Sequence, residues 1–213
     1  MLFSRKMDLY LIRHGESVIP KGTIQKDFPL SKLGKKQATA LAQRMSLISI
    51  DYLFSSPLIR AQQTAEIICK SQSLQLKLED RFREMDLGHL AGMSEDKVFE
   101  RYGDYLRTRP YPKMEYGYVN GEIPEQFHDR VTGAFEEIIW QPFYLSDTNV
   151  VLVAHGGVIC SIMLHFLGLR FDGYLTFMVD YAGISKIDAR HGRPRIRYIN
   201  DTNHLNDLRL HTS

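Results

Sequence analysis

Two histidines stand where short apolar runs give way to glycine. His14 lies in Arg13-His14-Gly15 after Leu9-Tyr10-Leu11-Ile12, and His155 lies in His155-Gly156-Gly157 after Val150-Val151-Leu152-Val153-Ala154. A neutral imidazole is a competent nucleophile near pH 7, and a backbone hydrogen bond to one ring nitrogen leaves the other free to attack. By position alone a lone histidine at a strand end is a satisfied structural residue, but Arg13 and Gly15 on either side of His14 tip that reading towards chemistry. His155 has a weak structural reading too, since so apolar a strand has little reason to end in His-Gly-Gly unless a backbone or ligand comes close. Arginine suits a phosphoryl group because its planar fork stays cationic and binds two oxygens at once. At ~4 Å and an effective dielectric of about 20, each unit charge pair is worth roughly 4 kcal/mol before desolvation. Amides at Gly156 and Gly157, where a helix begins, are further anion donors. The chemistry these groups suit is phosphoryl transfer, in which the protein holds charge and does little covalent work.

Transfer to water also needs a proton for the leaving alkoxide. Acidic candidates crowd one short stretch, Glu79, Asp80, Glu84 and Asp86, and side-chain chemistry alone does not separate them. A phosphate beside a carboxyl favours its protonated form, which is what a general acid needs. Arg60, on a segment that starts helical near Pro57, reads by position alone as solvated. No His-x-x-x-His or Cys-x-x-Cys spacing is present, so no metal site is expected, and no Gly-x-x-x-x-Gly-Lys-Ser/Thr loop points to ATP. His89, His128, His165, His191, His204 and His211 read as surface or packing residues. Cys69 and Cys160 read as reduced thiols buried in helices.

Bringing these groups together requires a frame. Short apolar runs alternate with helix-period segments, the pattern of a three-layer α/β/α sandwich with a mostly parallel central sheet. Strands are expected at Leu9–Ile12, Tyr52–Ser55, Leu76–Leu78 and Val150–Val153, the last of them central because it has no polar face. Helices are expected after Ser31, from Pro57 to Ile68, around Phe127–Ile138 and from Gly156 to Leu167. Ligands bind outside the carboxyl ends of strands in such sheets, so His14 and His155 should share one rim. Residues 1–213 read as one domain, with an irregular covering excursion at about 82–122. Its tyrosines Tyr102, Tyr105, Tyr111, Tyr116 and Tyr118 could line a cleft, although Tyr-rich loops more often pack on their own domain.

The segment Leu11-Ile12-Arg13-His14-Gly15-Glu16-Ser17 resembles the signature of the histidine phosphatase superfamily, which includes cofactor-dependent phosphoglycerate mutases. Further matches follow in order: Phe28-Pro29-Leu30-Ser31 with Gly34 and Gln37-Ala38, Ser55-Ser56-Pro57 with Arg60-Ala61 and Thr64-Ala65, and Arg83-Glu84 with Gly88 and Gly92. The His155-Gly156-Gly157 turn and the closing Asn200-Asp201-Thr202-Asn203-His204-Leu205 complete the series. The resemblance implies the fold, a phosphohistidine intermediate on His14, Arg13, Arg60, His155 and Gly156 as phosphate ligands, Glu84 as the acid, and neither metal nor cofactor. The chain departs from the family in three places. Ser17-Val18-Ile19-Pro20-Lys21-Gly22 lacks the usual asparagine, which Lys21, Thr23 or Gln25 could replace, Leu90-Ala91-Gly92 stands for Trp-Glu-Gly, and Gly121-Glu122-Ile123 stands for Gly-Glu-Ser.

The expected function is hydrolysis of a small phosphorylated metabolite, with most likeness to the bacterial branch containing α-ribazole phosphatases. A cofactor-dependent mutase is the alternative within enzymology, and a phosphate-binding module without turnover the alternative outside it. A net charge of +2 with scattered Lys and Arg excludes a nucleic-acid footprint, and 44% hydrophobic with 24% charged residues is ordinary globular composition. No apolar run reaches membrane-spanning length, and Met1 to Asp8 lacks a signal-peptide stretch, so no membrane partner and a cytoplasmic location are expected. Oligomeric state is not legible.

Overall fold

A computed structural model describes residues 6–108, 118–172, 176–190 and 193–208. Six strands form one sheet in the order β3-β2-β4-β1-β5-β6. They are β1 (Lys6–Arg13), β2 (Tyr52–Ser55), β3 (Leu76–Leu78), β4 (Asn149–Ala154), β5 (Ile184–Arg190) and β6 (Arg193–Asp201). The first four run parallel, while β5 pairs antiparallel with β1 and β6 antiparallel with β5. The expected α/β sandwich with a mostly parallel sheet is present. The two antiparallel strands had no counterpart among the expected elements, because the polar, Arg-rich run of β6 lies at the sheet edge and lacks a buried-strand signature.

Alternation along the inner strands divides the core into two layers. Met7, Leu9, Leu11, Val150, Leu152 and Ala154 face one way, where α4 (Pro124–Phe135) and α6 (Gly156–Phe166) supply Phe127, Val131, Phe135, Val158 and Ile162. Tyr10, Ile12, Val151 and Val153 face the other way, onto Leu41 and Met45 of α1 (Lys32–Met45) and Ala61, Ala65 and Ile68 of α2 (Ile59–Gln72). β4 lies between β2 and β1, and Val150 through Ala154 are all at 0% exposure, as its unbroken apolar run requires. Ser31 caps α1 by accepting from the Gly34 amide at 2.9 Å. Cys69 in α2 and Cys160 in α6 are free and buried, and burial pushes both thiols up.

Within the excursion at 82–122 the structure differs from the irregular pattern expected. Glu95–Thr108 forms a helix, α3, with Glu95 and Asp96 in its first turn where carboxylates suit the helix dipole. The start of the excursion is sewn to the segment after β1: Gly92 N donates to Ile24 O, Ile24 N to Met93 O and Glu95 N to Gly22 O. α4 continues through a π-helical turn at Glu136–Trp140 into α5 (Gln141–Phe143). No helix among the described residues is long and apolar enough to cross a membrane.

Gly34, in the first turn of α1, lies against the turn that follows β1. A Cβ there would collide with Glu16 O, and one on Gly15 would meet Gly34 O at 2.6 Å. Gly34→Ala should therefore cost about 1–3 kcal/mol in urea unfolding through forced backbone displacement. Gly133→Ala on α4, where a new Cβ meets nothing within 4 Å, should be neutral or stabilise by up to about 1 kcal/mol. Equal effects of the two substitutions would contradict this packing.

Candidate active site

Register brings the two histidines together. β1 and β4 are parallel neighbours with Arg13 opposite Ala154, so the next residue of each strand, His14 and His155, emerges at the same rim with ring centroids 5.1 Å apart. Both are buried, at 4% and 0% exposure. His14 Nδ1 lies 2.6 Å from Gly15 O and its Nε2 lies 3.1 Å from Arg60 Nε. A carbonyl oxygen only accepts and a guanidinium N–H only donates, so Nδ1 carries the proton and Nε2 presents its lone pair. Burial, then Arg60 and Arg13, hold the His14 pKa well below 6.5. The imidazole is neutral, with its Nε2 lone pair turned to Arg60.

The cations around it are held by different parts of the chain. Arg60, on the first turn of α2 and 2% exposed, donates from Nη1 to Lys26 O at 3.1 Å and lies 3.6 Å from Asp27. Arg13 donates to Val179 O at 2.6 Å and stacks its guanidinium 4.1 Å over the Tyr181 ring. Burial lowers the pKa of both arginines, and nearby Glu84 counters it. His155 Nε2 is 2.8 Å from Ser56 Oγ, which can donate its own proton while accepting from Leu58 N. His155 Nδ1 and Arg13 Nε are buried without a hydrogen-bond partner among the described residues. Two polar atoms without protein partners in one buried site are the kind an anion satisfies.

The Ser-Pro-x-x-Arg and closing Asn-Asp-Thr-Asn-His motifs have positioning roles. Thr64 Oγ1 accepts from Gly15 N at 3.1 Å and donates to Arg60 O at 2.8 Å, tying the turn after His14 to the helix of Arg60. Asn200 accepts from Asp180 N at 2.8 Å and donates to its carboxylate at 3.0 Å, and His204 lies 3.1 Å from Ala182 O. Ala182 N in turn donates to His14 O, and Arg13 N to Gly183 O. The closing run thus fixes the loop that carries Tyr181 against Arg13.

Glu84 sits across from this cluster. Its Oε2 accepts from Gly157 N and its Oε1 from Met85 N, both at 3.1 Å. Gly157, offered to phosphate by the sequence reading, therefore serves the carboxylate, and a Cβ on it would collide with Glu84 Oε1. Gly156 opens α6 directly after His155. A cavity of about 560 Å³ reaches Arg60 and Glu84 and extends outward past Lys26, Arg83, Arg130 and Glu122. Arg13, His14, His155 and Gly156 are not part of its wall; Arg60, which is, contacts His14 Nε2.

Of the three candidates for the missing asparagine, Gln25 lines the cavity, whereas Thr23 bridges Ser94 and Lys21 is exposed away from the wall. Neither Tyr102 nor Tyr118 lines it; Tyr102 Oη is 3.4 Å from His89 Nδ1, and Tyr111, Tyr116 and the Tyr105 side chain fall outside the described residues. Sequence reasoning missed Lys26, Arg130 and Tyr181. Lys26 adjoins Gln25 and could have been found by extending that search one residue; Arg130 and Tyr181 depend on tertiary pairings that leave no local signal.

Residues 9–202 match the histidine phosphatase superfamily (branch 1). Phosphoserine phosphatase 1 of Hydrogenobacter thermophilus is 33% identical over 203 residues, covering 94% of this chain and 95% of that protein. A probable phosphoglycerate mutase of Escherichia coli is 29% identical over 190 residues, covering 85% of each chain. Among solved structures, a putative α-ribazole-5'-phosphate phosphatase from Escherichia coli superposes with a TM-score of 0.81 at 25% identity, covering 92% of this chain and 96% of that one. A mycobacterial glucosyl-3-phosphoglycerate phosphatase shares the fold with a TM-score of 0.77 at 24% identity, covering 93% and 100%. Rim, buried cluster of arginines and imidazoles, and motif order thus converge with these likenesses, and the chain belongs to the histidine phosphatase superfamily.

Proposed function

We propose that this phosphomonoesterase hydrolyses the phosphate ester of a small alcohol that also bears a carboxylate, through a phosphohistidine on His14. The observation that carries the mechanism is the His14 tautomer, with its lone pair on Nε2 under Arg60. Nε2 attacks phosphorus while Arg13, Arg60 and His155 hold the equatorial oxygens, with Gly156 at the helix start beside them. The phosphorus–oxygen ester bond breaks, and the leaving alkoxide takes the proton of Glu84 in its acid form. Water then attacks the phosphohistidine, gives its proton to the Glu84 carboxylate, and the phosphorus–nitrogen electron pair returns to Nε2.

The leaving-group reading rests on the cavity's charges. Its acidic side chains are largely engaged: Glu122 with Arg130, Asp27 with Arg60 and the Ile59 amide, and Asp86 with the Gly88 amide. Arg83, half-exposed and paired with Asp80 at 3.4 Å on the surface, and Lys26, whose stem lies by Gly92, are the cavity's cations beyond Arg60 and the Arg130–Glu122 pair. A carboxylate on the departing alcohol matches them. Phosphoserine and phosphoglycerate, which occur in the relatives' names, are of this kind, and α-ribazole phosphate is not.

His14→Ala should lower kcat by at least about a thousandfold, and acid-sensitive, alkali-resistant phosphate should label the wild-type chain alone after rapid quenching. Labelling of the variant would remove His14 from its role. Arg83→Gln and Lys26→Gln should each lower kcat/KM for phosphoserine or 3-phosphoglycerate about tenfold relative to p-nitrophenyl phosphate; parallel losses on all substrates would defeat the carboxylate assignment. Isomerisation of 3-phosphoglycerate faster than phosphate release would instead favour a mutase.

A pH dependence follows from the buried imidazoles. Burial, then Arg60, also holds the His155 pKa well below 6.5. Between that folded value and 6.5 the unfolded chain binds more protons, so the stability present above about pH 6.5 is lost as pH falls, by about 1.4 kcal/mol per unit for each histidine. Activity should show no nucleophile titration near 6.5. Unfolding and kcat/KM measured from about pH 7.5 to 5 test both statements; an acid limb in kcat/KM centred near 6.5 would contradict the depressed pKa.

A further inference from the structure

The loop bearing Glu84 has little regular structure of its own, ending a short 3-10 turn at Asp80–Phe82. It is held from outside. Arg130, on α4, donates from Nη1 to Arg81 O at 2.7 Å and to Arg83 O at 3.1 Å, the carbonyls flanking the chain just before Glu84. Its other edge is spent on Glu122, with Nε to Oε1 at 2.8 Å and Nη2 to Oε2 at 2.7 Å. Glu122 then grips the far side of the loop, its amide donating to Asp86 O at 2.9 Å and its Oε2 accepting from Asp86 N at 3.3 Å. The guanidinium also lies 5.2 Å over the Phe127 ring, which fixes its plane.

We propose that the Arg130–Glu122 pair is a positioning device for the general acid, holding the 81–86 loop so that Glu84 delivers its proton along the breaking ester bond. The inference rests on the role given to Glu84 above and adds residues that do not touch the reacting atoms. The geometry favours positioning over substrate binding because the guanidinium spends its hydrogen bonds on this loop and on Glu122. A carboxylate carried by an unclamped loop drifts, and a displacement near 1 Å at a reacting group costs about a hundredfold in rate. Glu122→Gln keeps a carbonyl for Arg130 but loses the charge-assisted fork.

A poor alkoxide leaving group needs the proton, whereas nitrophenolate departs with little help. The test compares kcat/KM, which ends at departure of the alcohol and so excludes the later hydrolysis of the phosphohistidine, for glycerol 2-phosphate and p-nitrophenyl phosphate in the wild type, Glu84→Gln, Arg130→Gln, Arg130→Lys and Glu122→Gln, with urea unfolding of each. Glu84→Gln should lower the alkyl-to-aryl kcat/KM ratio about a hundredfold. Arg130→Gln should reproduce that selective loss at about tenfold or more, and Arg130→Lys and Glu122→Gln should do so partially. The KM values should move less than kcat, and the basic limb of the kcat profile should shift in the same variants. If Arg130→Gln is too unstable to assay, Arg130→Lys and Glu122→Gln carry the comparison. Equal losses on both esters, or no loss, in folded Arg130 and Glu122 variants overturns the positioning role while leaving Glu84 as the acid. Absence of selectivity in Glu84→Gln overturns both.

Discussion

The site depends on keeping one imidazole uncharged among guanidinium groups. A positive charge on His14 would stand against Arg60 and Arg13 in a desolvated pocket, so the proton is expelled and the lone pair on Nε2 survives. The same crowding makes the arginines costly to hold. Their charges are spread over carbonyls of Lys26 and Val179, the face of Tyr181, and the carboxylates of Asp27 and Glu84. None of these contacts among the described residues is a full counter-ion at contact distance for Arg13, and on the function proposed a phosphate dianion gains from that charge. In the proposed mechanism, phosphate binding and activation of His14 thus stem from the same imbalance.

That imbalance is tolerable only on a rigid rim. β1 and β4 are flanked on both sides, and their apolar side chains alternate into two helix layers that leave no freedom for the strands to slide. A one-residue slip between them would separate the histidines and turn the core residues outward. The polar groups are accordingly attached just past the last hydrogen-bonded pair, where the backbone turns and the strands still dictate position.

Much of this was written locally. Arg13-His14-Gly15 and His155-Gly156-Gly157 announce themselves because polar residues interrupt apolar runs at points where a strand must end, and parallel register then does the rest. β5 and β6 were not legible, since Lys186, Asp188, Arg195 and Arg197 break the apolar pattern with charges that pair across the two strands and with β1. α3 carried helical spacing at Val98 and Tyr102 but was obscured by Gly103 and the surrounding tyrosines. Arg130, Glu122 and Tyr181 act through partners tens of residues away in sequence, and no spacing rule reaches that far.

The departures from the family pattern divide in an instructive way. Leu90-Ala91-Gly92 and Gly121-Glu122-Ile123 change side chains yet keep their glycines, and the structure supplies a reason for each. Gly92 has φ +80 with the Lys26 stem 3.0 Å from where a Cβ would stand, and Gly121 would place a Cβ 2.5 Å from Asp86 O. Those backbones must approach closely for Lys26 to overlie the site and for the acid's loop to be gripped. Of the neighbouring side chains, Ala91 lines the cavity, Leu90 is buried in the core, and Glu122 is spent on Arg130. On the function proposed, such a fold exchanges one alcohol for another by altering loop side chains that hold nothing else, because the groups assigned to phosphorus are fixed by strand ends and by the first turn of α2.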